Sequence, residues 1–149
     1  MISKLFIGPV SKNVVDATIE FSQEHNIVLG LIPSRRQIDY DGGYVNNWNT
    51  RTFAEYVISK IKDRGCVLLQ RDHGGVGQGK GPNSFSDVSF CVDSVFLDLI
   101  HIDPFKDLDL EDGIDYTIHW INLLKNNRVK FEVGTEQAIK PFSVSDLNH

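Results

Sequence analysis

The stretch Cys66-Val-Leu-Leu-Gln-Arg-Asp-His-Gly-Gly75 changes from apolar to charged and then to glycine over a few residues. Its first four residues are apolar without alternation, which is typical of a strand buried on both faces in a parallel sheet. Asp72 and His73 follow where that strand would end, and the glycines after them permit a sharp bend. Active sites of parallel α/β folds lie beyond the carboxyl ends of the strands. The stretch therefore predicts a buried strand that leads into a candidate site, although a hydrogen-bonded histidine in a surface loop is the plainer alternative.

Length and composition indicate one soluble domain. The chain has 149 residues, of which 41% are hydrophobic, and this is enough for one core but not for two ordinary domains. A net charge of -5 argues against a nucleic-acid-binding protein, which needs a basic surface. Cys66 and Cys91 lie in apolar segments and are expected to be buried free thiols of a reducing compartment. No apolar run approaches the ~20 residues of a membrane span, so we expect a cytoplasmic protein.

Short apolar runs alternate with helical patterns along the chain, which is typical of βα units. The predicted strands cover residues 5–10, 27–32, 66–69, 95–102 and 129–134. The predicted helices begin after Ser11, begin at Asn49 or Thr50, and cover residues 85–92 and 111–124. This order fits either a doubly wound sheet or the first part of a (β/α)8 barrel.

Two features favour the barrel. No Gly-x-Gly-x-x-Gly turn follows the first strand, where Gly8-Pro-Val-Ser11 stands instead. Polar candidates follow four successive strands, and they are Arg35 and Arg36, Asp72 and His73, His101 and Asp103, and Glu132 and Glu136. Barrels collect such residues around one mouth. The sequence therefore predicts the α/β class and, within it, about five βα units from the N-terminal portion of a TIM (β/α)8 barrel. Residues 1–149 are expected to form a single partial barrel domain, truncated at the C-terminus relative to the ~250 residues of a typical barrel.

Five motifs carry a resemblance to a known family. They are Ile7-Gly-Pro-Val-Ser-Lys-Asn-Val-Val-Asp-Ala17, Gly42-Gly-Tyr44, Asp72-His-Gly-Gly75, Ile100-His-Ile-Asp103 and Val133-Gly-Thr-Glu136. In this order and spacing the chain resembles the tagatose-bisphosphate aldolase accessory-subunit family, which is related to the class II fructose-bisphosphate aldolases, over roughly residues 7–139. The resemblance implies a metal-dependent barrel that acts on phosphorylated sugars.

The resemblance also implies roles for individual residues. In class II aldolases the Asp-His pair after the third strand supplies a proton-transfer acid and a zinc ligand, and these roles would fall on Asp72 and His73. Zinc is the implied metal. Those enzymes take two more zinc histidines from later strands, before which this sequence ends. The accessory subunits lack aldolase activity of their own, so a catalytic partner subunit or self-association is also expected.

Other polar residues are candidates for substrate binding. Arg35 and Arg36 have the guanidinium forks that match a phosphate, although a solvent-exposed basic loop explains them equally well. The turn at Gly42 and Gly43 has backbone N–H groups for a phosphate, unless it is a plain tight turn.

Three candidates come from the fourth and fifth strands. Asp103 or Glu132 is expected to support the metal ligand or to replace it. The alternative for Glu132 is an ion pair with Arg35 or Arg71. Glu136, after the fifth strand, is a further candidate for substrate binding. His101 is expected on the same side of its strand as Asp103, where it would fill the barrel.

The sequence thus predicts a sugar-phosphate-processing protein of the class II aldolase type, with metal-assisted aldol cleavage through an enediolate, or a subunit that supports one. A non-catalytic assembly or binding subunit is the first alternative. A metal-dependent isomerase or epimerase is the second, because it uses the same chemistry. Binding of a stoichiometric metal, lost on His73→Ala, would separate an active site from a scaffold.

Overall fold

Strands and helices alternate along the chain in the computed structural model, which describes residues 5–63 and 65–135. The strands are β1 (Phe6–Ile7), β2 (Leu29–Leu31), β3 (Val67–Gly74), β4 (Leu99–Ile102) and β5 (Lys130–Val133). The helices are α1 (Lys12–His25), α2 (Thr50–Lys60), α3 (Ser84–Phe96) and α4 (Leu110–Leu124). The predicted α/β class is confirmed.

The strands form one five-stranded sheet in the order β1-β2-β3-β4-β5, and every neighbouring pair is parallel. A doubly wound sheet reverses its strand order at a switch point. No such reversal occurs in the sheet of the described residues. Sequential order is consistent with a partial barrel-like α/β fold, in which all carboxyl ends of the strands meet at one edge.

The helices pack on one face of this sheet, as right-handed crossovers between sequential parallel strands require. Two apolar clusters form the contact. The cluster of α1 and α2 against β2 and β3 includes Val15, Ile19, Leu31, Phe53, Val57 and Leu69. The cluster of α3 and α4 against β4 includes Phe90, Ile100, Ile102, Trp120 and Leu124. The core therefore lies between the sheet and a single layer of helices.

The opposite face of the sheet is only partly covered. Register places Phe6 and Leu68 on this face, on either side of Gly30. Phe6, Leu68 and Leu99 are half-buried, and Glu132 further along the same face is exposed. The apolar side chains of Phe6, Leu68 and Leu99 lie on this face, and Glu132 lies nearer to the carboxyl ends of the strands. The face therefore leads toward the candidate site at the carboxyl edge.

Local sequence signals fix the helix starts as predicted. Ser11 caps α1 by accepting a hydrogen bond from Val14 N at 3.4 Å. Asn49, one of the two predicted caps of α2, forms a capping box with Thr52 through bonds of 2.8 and 3.0 Å. Such reciprocal bonds satisfy N–H groups that have no partner within the helix.

The region between α3 and β4 differs from the prediction. Residues 95 and 96 belong to α3, whose last turn is closed by Leu97 N donating to Asp93 O at 2.8 Å. The strand therefore starts only at Leu99.

The expectation of two buried thiols was wrong, because Cys91 is exposed and Cys66 is half-buried. Cys91 lies beside the buried Phe90, on the outer side of α3. None of the helices in the described part of the chain combines the length and the apolarity that crossing a membrane requires.

Candidate functional site

The end of β3 has an unusual backbone at His73. Its φ is 45°, in the left-handed region that non-glycine residues seldom adopt. The pairing of β3 with β4 also shifts register between Arg71 and Gly74. Within this interval, Asp72 N donates to Pro33 O at 3.0 Å, which fixes the strand end to the segment after β2. Strain of this kind costs on the order of 1–3 kcal/mol and is concentrated at functional sites in proteins.

Asp103, directly after β4, holds the ring of His73. Its Oδ2 lies 2.8 Å from His73 Nδ1, and the carboxylate is fully buried. Gln78 steadies the carboxylate by donating from Nε2 to the same Oδ2 at 3.2 Å. Because an ionised carboxylate only accepts, Nδ1 of His73 is the donor and carries the proton. The other ring nitrogen, Nε2, lies 3.4 Å from Asp72 Oδ1.

His101 on β4 completes a cluster with these residues. Its ring centroid is 4.6 Å from that of His73, with the ring planes 50° apart. One carboxylate oxygen of Asp72 and one ring nitrogen each of His73 and His101 all lie within 4.8 Å of one another. We call these three residues the Asp72–His73–His101 cluster. Within residues 5–63 and 65–135, it is the group of side chains that has the types and spacing of metal ligands.

The cluster fits a divalent cation of the zinc type. Two imidazole nitrogens and one carboxylate oxygen are donors that zinc prefers. His101 Nε2 is buried and has no hydrogen-bond partner among the described residues. A buried polar atom in that state costs about 1–3 kcal/mol, which a ligand would offset. The bond from His73 Nδ1 to a carboxylate is also the usual support of a metal-binding histidine. The donor types and this orphaned nitrogen fit a cation of this kind, and zinc itself stays a prediction that rests on the family resemblance.

A buried ion pair supports the strand that carries the cluster. Arg71 is fully buried and donates to both oxygens of Asp93 on α3, at 2.7 and 2.9 Å. It also donates to the backbone carbonyls of Pro33 and Ile38 and to Thr50 Oγ1. Burial opposes the guanidinium charge, but the Asp93 carboxylate outweighs it, and the pKa of Arg71 lies above its usual value. Arg71 therefore joins β3 to α2, α3 and the segment after β2.

Arg35 is buried rather than presented to solvent, since its side chain is 2% exposed. Its Nε donates to Asp39 Oδ2 at 2.9 Å, and its Nη1 donates to Gly75 O at 3.0 Å and to Ser86 Oγ at 2.7 Å. Gly75 follows shortly after His73 in the chain. In this structure Arg35 thus fixes the loop that follows His73, and its expected contact with a substrate anion stays a prediction.

The other predicted anion-binding residues lie nearby but are not equivalent. Arg36 is exposed. Gly42 lines a small polar cleft of about 70 Å³ together with Arg35 and Lys80. Gly43 sits where an added Cβ would lie 2.0 Å from Gln37 O, so the close approach of two backbone segments explains this glycine. The structure therefore brings Gly42 and Arg35 together and gives Gly43 a packing role.

The two glutamates predicted at the fifth strand have different outcomes. Glu132 is exposed and accepts a hydrogen bond from Gln70 Nε2, rather than pairing with Arg35 or Arg71 as the alternative had it. Arg71 cannot reach it, because adjacent residues of a strand point to opposite faces and Arg71 points to the helices. Glu136 lies outside the described residues. Glu132 is not part of the cluster.

The sequence predicted that His101 would fill the barrel and did not single out Gln78, whereas the structure places His101 in the cluster and Gln78 against Asp103. Strand alternation already placed His101 on the side of Asp103, and this signal was sufficient to include it in the cluster. Gln78 donates to Asp103 from a glycine-rich loop without periodicity, so no sequence pattern indicates its direction.

A groove of about 440 Å³ lies elsewhere on the described part of the chain. Most of its lining residues belong to α1, from Asp16 to Glu24, and the others are Lys60 at the end of α2 and Lys62 just after it. Because these helices run opposite to the strands, their carboxyl ends lie toward the amino ends of the strands. The groove is thus at the end of the sheet opposite the cluster.

These observations define a class: an α/β protein with a sequential parallel sheet, helices on one face, and an Asp-His-His cluster at the carboxyl edge. No model of a known family matches this chain, and no curated protein matches it significantly. Among solved structures, the chain is similar to a probable tagatose 6 phosphate kinase from Sinorhizobium meliloti 1021, with a TM-score of 0.73 and 15% sequence identity.

That similarity covers 93% of this chain and 40% of the other. The chain thus spans well under half the length of the solved protein. At 15% identity the likeness establishes a shared fold, and a shared fold does not imply a shared activity.

Proposed function

We propose that this chain binds a phosphorylated sugar at the carboxyl edge of its sheet and takes part in metal-assisted aldol cleavage of the class II type. The proposal includes the finer fold assignment, in which the sheet is the N-terminal portion of a (β/α)8 barrel. The observation that carries it is the Asp72–His73–His101 cluster, with Asp103 holding His73 at 2.8 Å. Barrel enzymes place their catalytic residues at this edge of the sheet.

Three further facts support the proposal. Sequential parallel strands with helices on one face are the arrangement that a barrel needs. The solved structure that shares the fold is described as a probable tagatose 6 phosphate kinase, whose named substrate is a sugar phosphate. The five sequence motifs resemble the accessory-subunit family of tagatose-bisphosphate aldolase.

The residues in and around the cluster would have different roles. His73 and Asp72 would hold a divalent cation, which polarises substrate oxygens when bound. Asp72 is 33% exposed, and the oxygen of its carboxylate that does not hold the cation would give a proton to, or take one from, the substrate carbon next to the broken bond. Asp103 keeps the proton on His73 Nδ1, so that Nε2 faces the site. Arg36 is the exposed cation of the arginine pair and is the one available to a phosphate group.

Calorimetric titration of the full chain with a ketose bisphosphate and with the unphosphorylated ketose tests this function. We expect saturable binding of the phosphorylated sugar and at least ~10-fold weaker binding of the other, because only the former carries the charge that a guanidinium matches. Arg36→Ala should reduce this preference, and Arg51→Ala, at an exposed position of α2, should not. Equal affinity for both sugars would overturn the proposal.

A non-catalytic binding or assembly subunit is the second candidate. It is favoured by the structural engagement of two predicted substrate-binding side chains, since Arg35 bonds to Asp39, Ser86 and Gly75 O while Glu132 bonds to Gln70. Product analysis separates the candidates. Triose products indicate a lyase, an interconverted hexose indicates an isomerase or epimerase, and binding without product indicates a supporting subunit.

A further inference from the structure

We propose that His101 supplies, from β4, a third ligand to the cation held by Asp72 and His73. The inference rests on the proposed metal-assisted function and deepens it by naming the ligand set. The site would then be complete within two adjacent strands and would not depend on histidines from later strands.

The first argument is the state of the His101 ring. The residue is 8% exposed, and its Nε2 has no hydrogen-bond partner among the described residues. Buried side-chain nitrogens nearly always have a partner, and an ion is one of the explanations when the protein provides none. Burying a polar nitrogen without a partner is unfavourable. If His101 only filled space, an apolar side chain of similar size would therefore fill it at a lower free-energy cost. The unpartnered nitrogen therefore points to a ligand.

The second argument is distance. The donor atoms of Asp72, His73 and His101 lie within 4.8 Å of one another. Ligands of one tetrahedral zinc ion lie roughly 3.3–3.5 Å apart, so the cluster needs to contract by at most about 1.5 Å. Rotation of the Asp72 carboxylate, which is 33% exposed, can shorten its own distances to the two histidines, and any remaining separation of the two ring nitrogens has to close by rotation of the imidazole rings.

The third argument is the space beside the His101 ring. Gly134, just after β5, lies where an added Cβ would be 3.3 Å from His101 Nε2. That separation is tighter than ordinary van der Waals contact, so a side chain here would press on the nitrogen. A glycine at the end of the neighbouring strand keeps this space open.

The donor set also predicts which cation binds. Two imidazole nitrogens and one carboxylate suit Zn²⁺ or Co²⁺, whereas Mg²⁺ prefers oxygen ligands and keeps its water. We therefore expect Zn²⁺ binding that a large excess of Mg²⁺ does not displace.

The test is a calorimetric titration of the metal-free full chain with Zn²⁺, without any sugar. We expect one equivalent to bind, and His101→Gln to weaken binding by more than the ~10- to 100-fold that a partner of a ligand contributes. The matched control is His119→Gln on the exposed side of α4, which should bind Zn²⁺ as the unchanged chain does. Wild-type affinity in His101→Gln would overturn the inference, as would the absence of Zn²⁺ binding by the unchanged chain.

A second measurement covers the case in which His101→Gln does not fold, as judged by circular dichroism in the presence of a chelator. The unchanged chain with Co²⁺ should show paramagnetically shifted N–H signals from two coordinated imidazoles. A signal from one imidazole would remove His101 from the ligand set. Because neither experiment contains a sugar phosphate, failure here leaves sugar binding unaffected, and failure of sugar binding leaves the zinc affinity unchanged.

Discussion

Nδ1 of His73 donates to Oδ2 of Asp103 over 2.8 Å, and this bond joins the end of β3 to the end of β4. It sets the tautomer of His73 and the direction of its Nε2. It also crosses the point where the register of the two strands shifts, so the bond helps to hold His73 at its positive φ. One hydrogen bond thus fixes both the chemistry and the backbone of the candidate site.

Asp103→Asn should weaken Zn²⁺ binding by about 10- to 100-fold, since the amide no longer enforces a proton on Nδ1 of His73. A competition titration with a chromophoric chelator measures the change. Asp115→Asn, at an exposed position of α4, removes the same charge without touching the site and serves as the control. Identical affinities in the two variants would show that Asp103 does not orient His73.

Asp72→Asn should lower turnover of a phosphorylated ketose by about 10²- to 10⁴-fold, the usual contribution of a general acid or base. The assay requires the assembly in which the chain is active. The change keeps the shape of the side chain, so unfolding by denaturant should be nearly unaltered. Binding of the sugar phosphate, measured by calorimetry, should change far less than turnover. Full turnover in this variant would exclude Asp72 from proton transfer.

The convergence of Asp72, His73 and Asp103 could be predicted from sequence because it follows from topology. Adjacent parallel strands end at the same edge of a sheet, and these residues lie at or just after the ends of β3 and β4. The unpartnered nitrogen of His101 could not be predicted, because it depends on what packs around the ring. The burial of Arg35 could not be predicted either, since its partner Ser86 is 51 residues away along the chain.

The fold, too, has features that the sequence predicts and features that it does not. The alternation of strands and helices and the caps at Ser11 and Asn49 are local signals, and the structure confirms them. The predicted boundary between α3 and β4 was wrong, because residues 95–97 are apolar and fit either element. The backbone bond from Leu97 N to Asp93 O decides it for the helix. Local composition does not specify such a bond.

The left-handed backbone of His73 leads to a prediction about stability. His73→Gly should be more stable than His73→Ala by about 1 kcal/mol, because alanine pays the left-handed penalty and glycine does not. Both variants lose the bond to Asp103, so this loss cancels in the comparison. Chemical denaturation of the two proteins gives the difference.

The control for His73 is the same pair of changes at Lys130, an exposed position of β5. In ordinary extended backbone glycine is the less stable residue, so Lys130→Gly should be less stable than Lys130→Ala. If alanine is the more stable residue at position 73 as well, the positive φ of His73 is not a source of strain.

The buried pair of Arg71 and Asp93 provides the last prediction. Arg71→Met removes two bonds to the carboxylate and leaves Asp93 buried with a bond of 3.2 Å from Thr50 Oγ1. Breaking a buried ion pair on one side costs about 3–5 kcal/mol, so the free energy of unfolding in urea should fall by that amount. Replacing both partners, as in Arg71→Met with Asp93→Leu, should restore much of the loss, because no charge then remains buried.

The control is an exposed ion pair. Arg51→Met breaks the pair with Glu55, whose side chains are 67% and 53% exposed, and should leave the free energy of unfolding unchanged within error. If the double variant is no more stable than Arg71→Met, the bonds from Arg71 to the carbonyls of Pro33 and Ile38, rather than its charge, hold β3 in place.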